Sequence, residues 1–448
     1  MSRLSYPILD GSVVESTNNV EFRVNVVEKI PDPVIVPDRP WENNMSLIFG
    51  SVLRDPAGKF RMWYMCAGGD VAYATSDDGI SWEKPSLGLV VRNGEDTNIV
   101  IERGKFGNYY EIFGVVKDDV DVPSRRYKMG FVSIERDYDG PHQARYHPGQ
   151  RRGLGTAVSP DGIHWTLEQD FASHGICDVS HFLYDEQEKK YVLYGRTKLQ
   201  EDHGPYKSWG WGRAVLRMES DDFRTWTGDD LVMAADGNDP EGMEIYSMSV
   251  HKYWETYIGL VQIFYGLPSQ GQLEIQLATS RDGHNFTRLA REPFIPEGPV
   301  GSWDRFNISV GNMPPVRVGD EDWFYYSGRH YRHKPYIGED TSTPWAAIGL
   351  ARVKRGRYLS LESSFDGGTV TTRPLPLRSG LQVNANAAHG SIEIELLGDG
   401  GDVTSGRISC LAGVDGIEIP VKLPDELGER TRIRFTLANA RLFGFRLV

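Results

Sequence analysis

Three carboxylates have the clearest capacity for chemistry in this sequence: Glu42, Asp178 and Glu244. Cleavage of a glycosidic bond needs one protonated carboxyl to protonate the leaving oxygen, and a second carboxylate as nucleophile or activator of water. We predict Glu244 as the general acid, because its neighbours Met243 and Ile245 would partly desolvate it and keep its proton available. Asp178 would stabilise the positive charge of the transition state, and Glu42 would be the nucleophile or base.

Further polar and aromatic side chains lie in or beside the same segments of sequence. The basic residues Arg305, Arg329, His330 and Arg332 all fall within residues 305–362, predicted below as one structural repeat, and could bind a carboxylate or phosphate. We predict the following substrate-binding set: Trp41, Asn43, Asn44, His181, Glu241, Tyr246, Arg305 and His330. The eleven histidines show no zinc-ligand spacing, and no nucleotide-binding fingerprint is present, so we predict neither a metal nor a cofactor.

A repeated turn motif organises the chain around these residues. The string ATSDDGISW at residues 74–82 recurs in related form at 157–165, 218–226 and 278–286, and a degenerate copy stands at 348–353. Each full copy is typical of a strand, an Asp-Gly type turn and an aromatic residue that starts an edge strand. With two more strand-like runs upstream, one period has the content of a propeller blade. We predict five blades, over 40–90, 98–170, 176–230, 243–292 and 305–362.

The propeller prediction explains how distant carboxylates could meet. The innermost strand of each blade runs beside the central axis, so polar residues there converge on one funnel. From about residue 366 the pattern changes to strict alternation, as in SIEIEL at 391–396, which indicates a half-buried antiparallel sheet. We therefore predict an all-β chain with a five-bladed β-propeller over residues 1–365 and a β-sandwich over 366–448.

Composition narrows the class of partner and the cellular compartment. The net charge is −13 and no basic block is present, which argues against nucleic-acid or anionic-membrane partners and favours a neutral substrate. Three cysteines cannot form a complete disulfide framework, and no stretch has the length of a signal peptide or membrane span. We expect a cytoplasmic enzyme. Sandwich domains of this kind can contact a neighbouring subunit, so a homo-oligomer is one option.

The sequence resembles the propeller glycoside hydrolases of families 32 and 43, the invertase, levanase and arabinanase type. The resemblance rests on strings such as GSVLRDPAGKFRMWY, HFLYDEQEKKYVLYGR and RIRFTLANARLFGF, and it covers nearly the whole chain. It implies a five-bladed propeller with an acidic triad, in which Asp178 matches the stabiliser and Glu244, or else Glu241, the acid. The string WENN departs from the family pattern, because it places Asn44 where the nucleophilic Asp is expected. Glu42 would have to take that role, or the mechanism differs.

The leading hypothesis is an exo-acting hydrolase of a small furanoside, such as a fructofuranoside or an arabinofuranoside. A propeller glycoside phosphorylase is the first alternative, with the basic group of the fifth blade binding phosphate. The second alternative is a non-catalytic carbohydrate-binding propeller that has lost its nucleophile, which Asn44 favours. In each case the partner would be a small oligosaccharide or glycoside.

Overall fold

The chain folds almost entirely into antiparallel β-strands. The computed structural model describes residues 5–7, 10–141, 148–199, 212–266, 271–312, 314–333, 346–377, 380–398, 401, 403–425, 427 and 430–448. Within these ranges the only helices are three short 3-10 turns, at Pro40–Glu42, Ala67–Gly69 and Pro123–Arg125. None of the helices in the described part of the chain is long and apolar enough to cross a membrane.

Five sheets follow one another along the chain. Sheet 1 contains Ser46–Arg54, Phe60–Cys66, Val71–Ser76 and Ile99–Ile101; sheet 2 contains Tyr109–Lys117, Tyr127–Arg136, Gln150–Ser159 and Thr166–His174. Sheet 3 contains His181–Asp185, Lys190–Lys198, Arg213–Ser220 and Thr227–Met233; sheet 4 contains Met243–Tyr253, Thr256–Tyr265 and Gln272–Ser280. Sheet 5 contains Phe306–Val310, Val316–Val318, Glu321–Arg329, Ala347–Lys354 and, from the start of the chain, Glu28–Lys29. Val91–Arg92 and Glu95–Asp96 form a separate ribbon.

These five sheets contact one another in cyclic order. From sheet 1 to sheet 4, the first strand of each sheet contacts the first strand of the next. The first strand of sheet 5 contacts the third strand of sheet 4 on one side and the first strand of sheet 1 on the other. The first strands are also strongly buried, as in Ser46–Arg54 and Met243–Tyr253. Side chains on these strands are therefore brought towards a common centre.

Asn312 lies where several sheets meet. It follows the first strand of sheet 5, its backbone N–H donates to the Gly50 carbonyl of sheet 1 at 2.8 Å, and its side-chain oxygen accepts from the Phe182 N–H of sheet 3. A Cβ atom at Gly114 of sheet 2 would lie 2.2 Å from the Cβ of Asn312. Glycine is thus required at position 114, because any side chain there would exclude Asn312 from the centre.

The repeated motif forms the turn that its sequence predicts. In the first copy, the Ser76 hydroxyl accepts from the Gly79 N–H at 2.8 Å, and the Asp78 carboxylate accepts from the N–H groups of Ile80 and Ser81 at 2.8 and 2.7 Å. The same bonds recur at the copies that begin with Ser159, Ser220 and Ser280. Local side-chain to backbone hydrogen bonds therefore fix all four turns.

Three of these turns also join neighbouring sheets. The Gly79 carbonyl of sheet 1 accepts from the Tyr325 hydroxyl of sheet 5 at 2.7 Å. Correspondingly, Trp63 Nε1 of sheet 1 donates to the Gly162 carbonyl of sheet 2 at 2.7 Å, and the Tyr194 hydroxyl of sheet 3 donates to the Gly283 carbonyl of sheet 4 at 2.9 Å. We call these three bonds the turn latches. Each one orients a turn against the strand that pairs with the first strand of the preceding sheet in the ring.

The C-terminal part of the chain forms two further sheets. Sheet 6 contains Ser5–Tyr6, Glu21–Val24, Leu359–Ser363, Leu381–Asn386, Asp415–Val421 and Ala440–Leu447. Sheet 7 contains Val14–Asn18, Gly368–Thr372, Ser391–Leu397, Val403–Ala412 and Arg432–Ala438. The alternating apolar residues of both sheets are buried in one hydrophobic core, as the burial pattern of Ser391–Leu397 illustrates. Three strands from the N-terminal part of the chain also belong to these two sheets. The alternating sequence pattern near the C-terminus does not predict that they pair there.

Candidate active site at the centre of the five sheets

Asp178 and Arg196 form an ion pair beside the start of the first strand of sheet 3. Asp178 precedes the first strand of the sheet and Arg196 lies on the second, and the Cys177 N–H donates to the Arg196 carbonyl at 2.8 Å. Val179 has a φ of 55°, which is strained for a β-branched residue. Such strain clusters at ligand sites, where the surrounding structure imposes it. The Arg196 guanidinium lies 4.7 Å from the centre of the Tyr246 ring.

Glu244 forms a second ion pair at the centre, with Arg213. Glu244 lies on the first strand of sheet 4, and its other carboxylate oxygen accepts from the Gly212 N–H at 2.6 Å. The Arg213 guanidinium lies 5.3 Å from the Tyr246 ring centre and 4.5 Å from that of Phe264. Two arginines from sheet 3 therefore lie against one tyrosine of sheet 4, and each also binds a carboxylate.

Glu111 is a third central carboxyl, on the first strand of sheet 2. Burial raises the pKa of Glu111, and the opposing effect of the positive charges of Arg196, Arg152, Arg103 and Arg329 does not overcome it. Arg103 lies in the loop between sheets 1 and 2, and the other three arginines come from sheets 3, 2 and 5, so Glu111 lies near the same centre as the two ion pairs. Glu111 was not among the carboxylates that the sequence analysis selected. Its signal was the one shared by the other two: a carboxylate among aromatic and apolar residues at a blade start.

Sheets 5 and 1 complete the site. His333 lies next to sheet 5, with its ring centre 5.5 Å from that of Tyr246, and Asn307 Nδ2 lies 3.5 Å from His333 Nδ1. Phe49 of sheet 1 packs against the apolar group that includes Tyr246 and Phe264. We use the name central cluster for the following residues: Glu111, Asp178, Arg196, Arg213, Glu244, Tyr246, Arg329 and His333.

Glu42 does not belong to the central cluster. Its carboxylate is fully buried in sheet 1 and its flanking loops, where it accepts from the Tyr64 hydroxyl at 2.6 Å and the Arg39 N–H at 2.9 Å. Lys84 Nζ lies 2.7 Å from one carboxylate oxygen and 2.9 Å from the other. The predicted set of Glu42, Asp178 and Glu244 is thus only partly brought together. A carboxylate with this many donors has the environment of a structural anion.

The predicted binding residues around Glu42 also lie in this region. Trp41 Nε1 donates to the Asn98 side chain at 2.8 Å, and Asn98 in turn donates to the Tyr64 hydroxyl at 2.9 Å, so the indole is part of the Glu42 network. Asn43 and Asn44 are exposed and adopt left-handed φ values of 42° and 66°. Their conformation turns the chain from the 3-10 helix into the first strand of sheet 1.

The other predicted binding residues are distributed around the ring of sheets. Tyr246 is in the central cluster, whereas Glu241 is exposed and Arg305 forms an ion pair with Glu297 at 2.7 Å. The His330 ring is partly buried, 5.0 Å from that of Tyr331. His181 is buried in the first strand of sheet 3, and burial lowers its pKa to about 3. Neither of its ring nitrogens has a hydrogen-bond partner among the described residues.

The described residues contain no group of three or more His, Cys, Asp or Glu side chains arranged to hold a metal ion. The chemistry that the central cluster offers is that of carboxyl groups, guanidinium groups and an aromatic ring. Carboxyls can transfer protons or stabilise developing positive charge, and arginine and tyrosine can orient a polar ligand.

No family model matches the sequence, and no curated protein matches it. Among solved structures the fold is similar to an N-acetylgalactosamine deacetylase from F. plautii, with 15% identity, 78% of this chain and 97% of that chain covered, and a TM-score of 0.48. It is also similar to a GH43 β-xylosidase/α-arabinofuranosidase from a compost microbial metagenome, with 12% identity, 75% and 98% covered, and a TM-score of 0.47.

A third similar structure is the GH32 β-fructofuranosidase of Bombyx mori, with 13% identity, 92% of this chain and 95% of that chain covered, and a TM-score of 0.42. Structures of families 32 and 43, which the sequence resembles, are therefore among those similar to this fold. With TM-scores below 0.5 and identities of 12–15%, these likenesses carry no argument about the activity of this chain.

Proposed function

We propose that the chain is a glycoside hydrolase with its active site in the central cluster. Sheets 1 to 5 would be the blades of a five-bladed propeller, and sheets 6 and 7 its β-sandwich. The cyclic order of sheet contacts supports the propeller. One observation carries the function: carboxyls from three successive sheets meet two arginines that both lie against Tyr246. The charge of Arg196 acts on Glu111 and pairs with Asp178, and Arg213 pairs with Glu244.

In this proposal Glu111 protonates the leaving oxygen. Its raised pKa keeps the proton available at a higher pH than for an ordinary glutamate. Asp178 supplies the second carboxylate, which stabilises positive charge or activates water. Both oxygens of Glu244 already accept hydrogen bonds, from Gly212 and Arg213, so Glu244 serves better to position Arg213 than to carry a proton. We therefore assign the role of general acid to Glu111 and not, as the sequence predicted, to Glu244.

The proposed substrate is a small furanoside that is cleaved from its end. The enclosed character of the centre supports an exo mode: Glu244, Tyr246 and Arg196 are all buried, which suits insertion of one terminal sugar. The furanoside is proposed from the sequence resemblance to families 32 and 43.

The test is a panel of aryl glycosides and fructosides, with 4-nitrophenyl α-L-arabinofuranoside and sucrose as the first substrates. We expect Glu111→Gln to lower kcat by about 100-fold or more on a substrate with a sugar leaving group, such as sucrose, as the loss of a proton donor does. The loss should be much smaller with a nitrophenyl leaving group, which departs without full protonation. Asp178→Asn should lower kcat with both leaving groups.

Glu186→Gln is the matched control, because Glu186 is exposed on the turn between the first two strands of sheet 3. It should hydrolyse both kinds of substrate at the unchanged rate. Absence of turnover across the panel, or a Glu111→Gln enzyme as active as the unchanged protein on a substrate with a sugar leaving group, would contradict the proposal.

A further inference from the structure

Five basic side chains lie in or beside the central cluster, although the chain as a whole has a net charge of −13. They are Arg152 of sheet 2, Arg196, Lys198 and Arg213 of sheet 3, and Arg329 of sheet 5. Arg196 and Arg213 lie against the Tyr246 ring, and Arg329 is close enough for its charge to interact with that of Glu111 and with Tyr246. The group therefore comes from three sheets that are distant in sequence.

Three of these cations share one face of sheet 3. Lys198 and Arg213 are direct cross-strand partners, and Arg196 lies two residues from Lys198, on the same side of the strand. Like charges placed directly opposite each other destabilise a sheet. An arrangement that carries such a cost at the centre of the fold indicates a function, because a bound anion would offset the repulsion.

Burial increases the free-energy cost of placing these positive charges close together. Arg196 and Arg329 are buried, and Arg213 is nearly so. Burial lowers the pKa of Lys198, and the positive charges of Arg196 and Arg213 lower it further. Asp178 binds Arg196 and Glu244 binds Arg213, so an anionic ligand would act together with these carboxyls in balancing the buried positive charge.

We propose that the central cluster takes an anionic substrate, with Lys198, Arg196 and Arg213 contacting a carboxylate or phosphate group of the sugar. This inference rests on the proposed glycosidase function and names its substrate class. Guanidinium groups match the planar geometry of carboxylate and phosphate oxygens and can bind them bidentately, while an ammonium group contributes a compact charge. Overall acidity of the chain favoured a neutral substrate, but the charge that matters for binding is the local one.

The experiment measures binding by titration calorimetry in matched pairs. D-fructose 6-phosphate is compared with D-fructose, and D-glucuronate with D-glucose; inorganic phosphate is titrated alone. We expect each preferred anion to bind at least about 10-fold more tightly than its neutral partner, and more weakly at high salt. The pair with the larger difference identifies phosphate or carboxylate as the recognised group.

Lys198→Met should weaken binding of the preferred anion about 10-fold and leave the neutral sugar unaffected. Lys190→Met is the control on the same strand, because Lys190 lies at the opposite end and pairs with Glu219. Equal affinity for anionic and neutral sugars, or anion binding that Lys198→Met leaves unchanged, would overturn the inference.

The two proposals can fail separately. Hydrolysis that depends on Glu111 but shows no preference for anionic sugars would refute the anionic substrate class and support the glycosidase function. Anion binding that depends on Lys198, without hydrolysis of any anionic or neutral glycoside, would support the anion-binding site and refute the glycosidase function. If inorganic phosphate alone binds and sugar 1-phosphate is released, the anion is a co-substrate and the substrate class proposed here is wrong.

Discussion

Removal of the ion pair between Lys84 and Glu42 tests whether Glu42 has a structural or a catalytic role. The Glu42 carboxylate has 0% exposure and Lys84 only 6%, and their closest atoms lie 2.7 Å apart. Removing one partner of a buried pair leaves an uncompensated charge and costs about 3–5 kcal/mol. The Tyr64 hydroxyl and the Arg39 N–H would still bind the carboxylate after Lys84→Met. We therefore expect a loss near the lower limit, about 3 kcal/mol.

The measurement is urea denaturation followed by tryptophan fluorescence at pH 7. Combining Lys84→Met with Glu42→Gln should restore part of the loss, because the neutral amide oxygen can still accept the remaining hydrogen bonds. We expect the double-mutant cycle to show a coupling of about 1–3 kcal/mol. Lys59→Met is the control: its partner Asp77 is largely exposed, so its removal should change stability by less than about 1 kcal/mol.

The decisive comparison is between stability and turnover. If Glu42 is structural, Glu42→Gln should keep kcat within a few-fold of the unchanged enzyme once both are folded. A kcat lowered by about 100-fold or more with an unchanged free energy of unfolding would instead make Glu42 a catalytic carboxylate. That result would refute its assignment to the packing of sheet 1.

Three further expectations follow from groups described above. Because the pKa of Glu111 is raised, kcat should fall with rising pH through a pKa above that of ordinary glutamate, and this basic limb should be absent from the pH profile of Glu111→Gln. His181 and His251 are both buried with pKa values lowered to about 3 from 6.5, so each should reduce the free energy of unfolding by about 1.4 kcal/mol per pH unit as pH falls from 6.5 towards 3, measured by urea denaturation. Tyr325→Phe removes the latch to the Gly79 carbonyl and should cost about 1–3 kcal/mol in the same assay.

Each of these expectations has a control. His389 is exposed, so His389→Asn should leave the acid dependence of stability unchanged, whereas His181→Asn should make it less steep. A pH profile of stability that His181→Asn does not alter would contradict the buried neutral histidine. Tyr184→Phe removes a hydroxyl from a partly buried tyrosine outside the latches, and equal losses for Tyr184→Phe and Tyr325→Phe would argue against a specific role for the latch.

Local patterns predicted local structure well in this chain. The Ser-x-Asp-Gly strings specified turns because the bonds that form them join residues two or three positions apart. The third copy carries Phe223 where the others have glycine, yet Phe223 adopts a left-handed φ of 66°, because its ring is fully buried beside Trp226 and Tyr191. Packing there compensates for an unfavourable backbone conformation.

The site was harder to predict because its partners are distant in sequence. Asp178 and Glu244 were selected from their positions on inner strands, but Arg196 and Arg213, which bind them, come from the next strands of sheet 3. Glu42 had the same local signal, and only the loop that brings Lys84 to it shows that it belongs elsewhere. Strand position indicates which residues approach the centre, whereas charge partners decide what each one can do.

The first 30 residues impose an order on folding during synthesis. Val14–Asn18, Glu21–Val24 and Glu28–Lys29 pair with strands near residues 370, 360 and 350, so they must remain unpaired on the ribosome while almost the whole chain is made. Sheets 1 to 4 form from contiguous segments and can fold as they emerge. Closure of sheet 5 and completion of sheets 6 and 7 then become late events. Deletion of these N-terminal strands would leave three sheets each without an edge strand, in a protein that otherwise contains the whole central cluster.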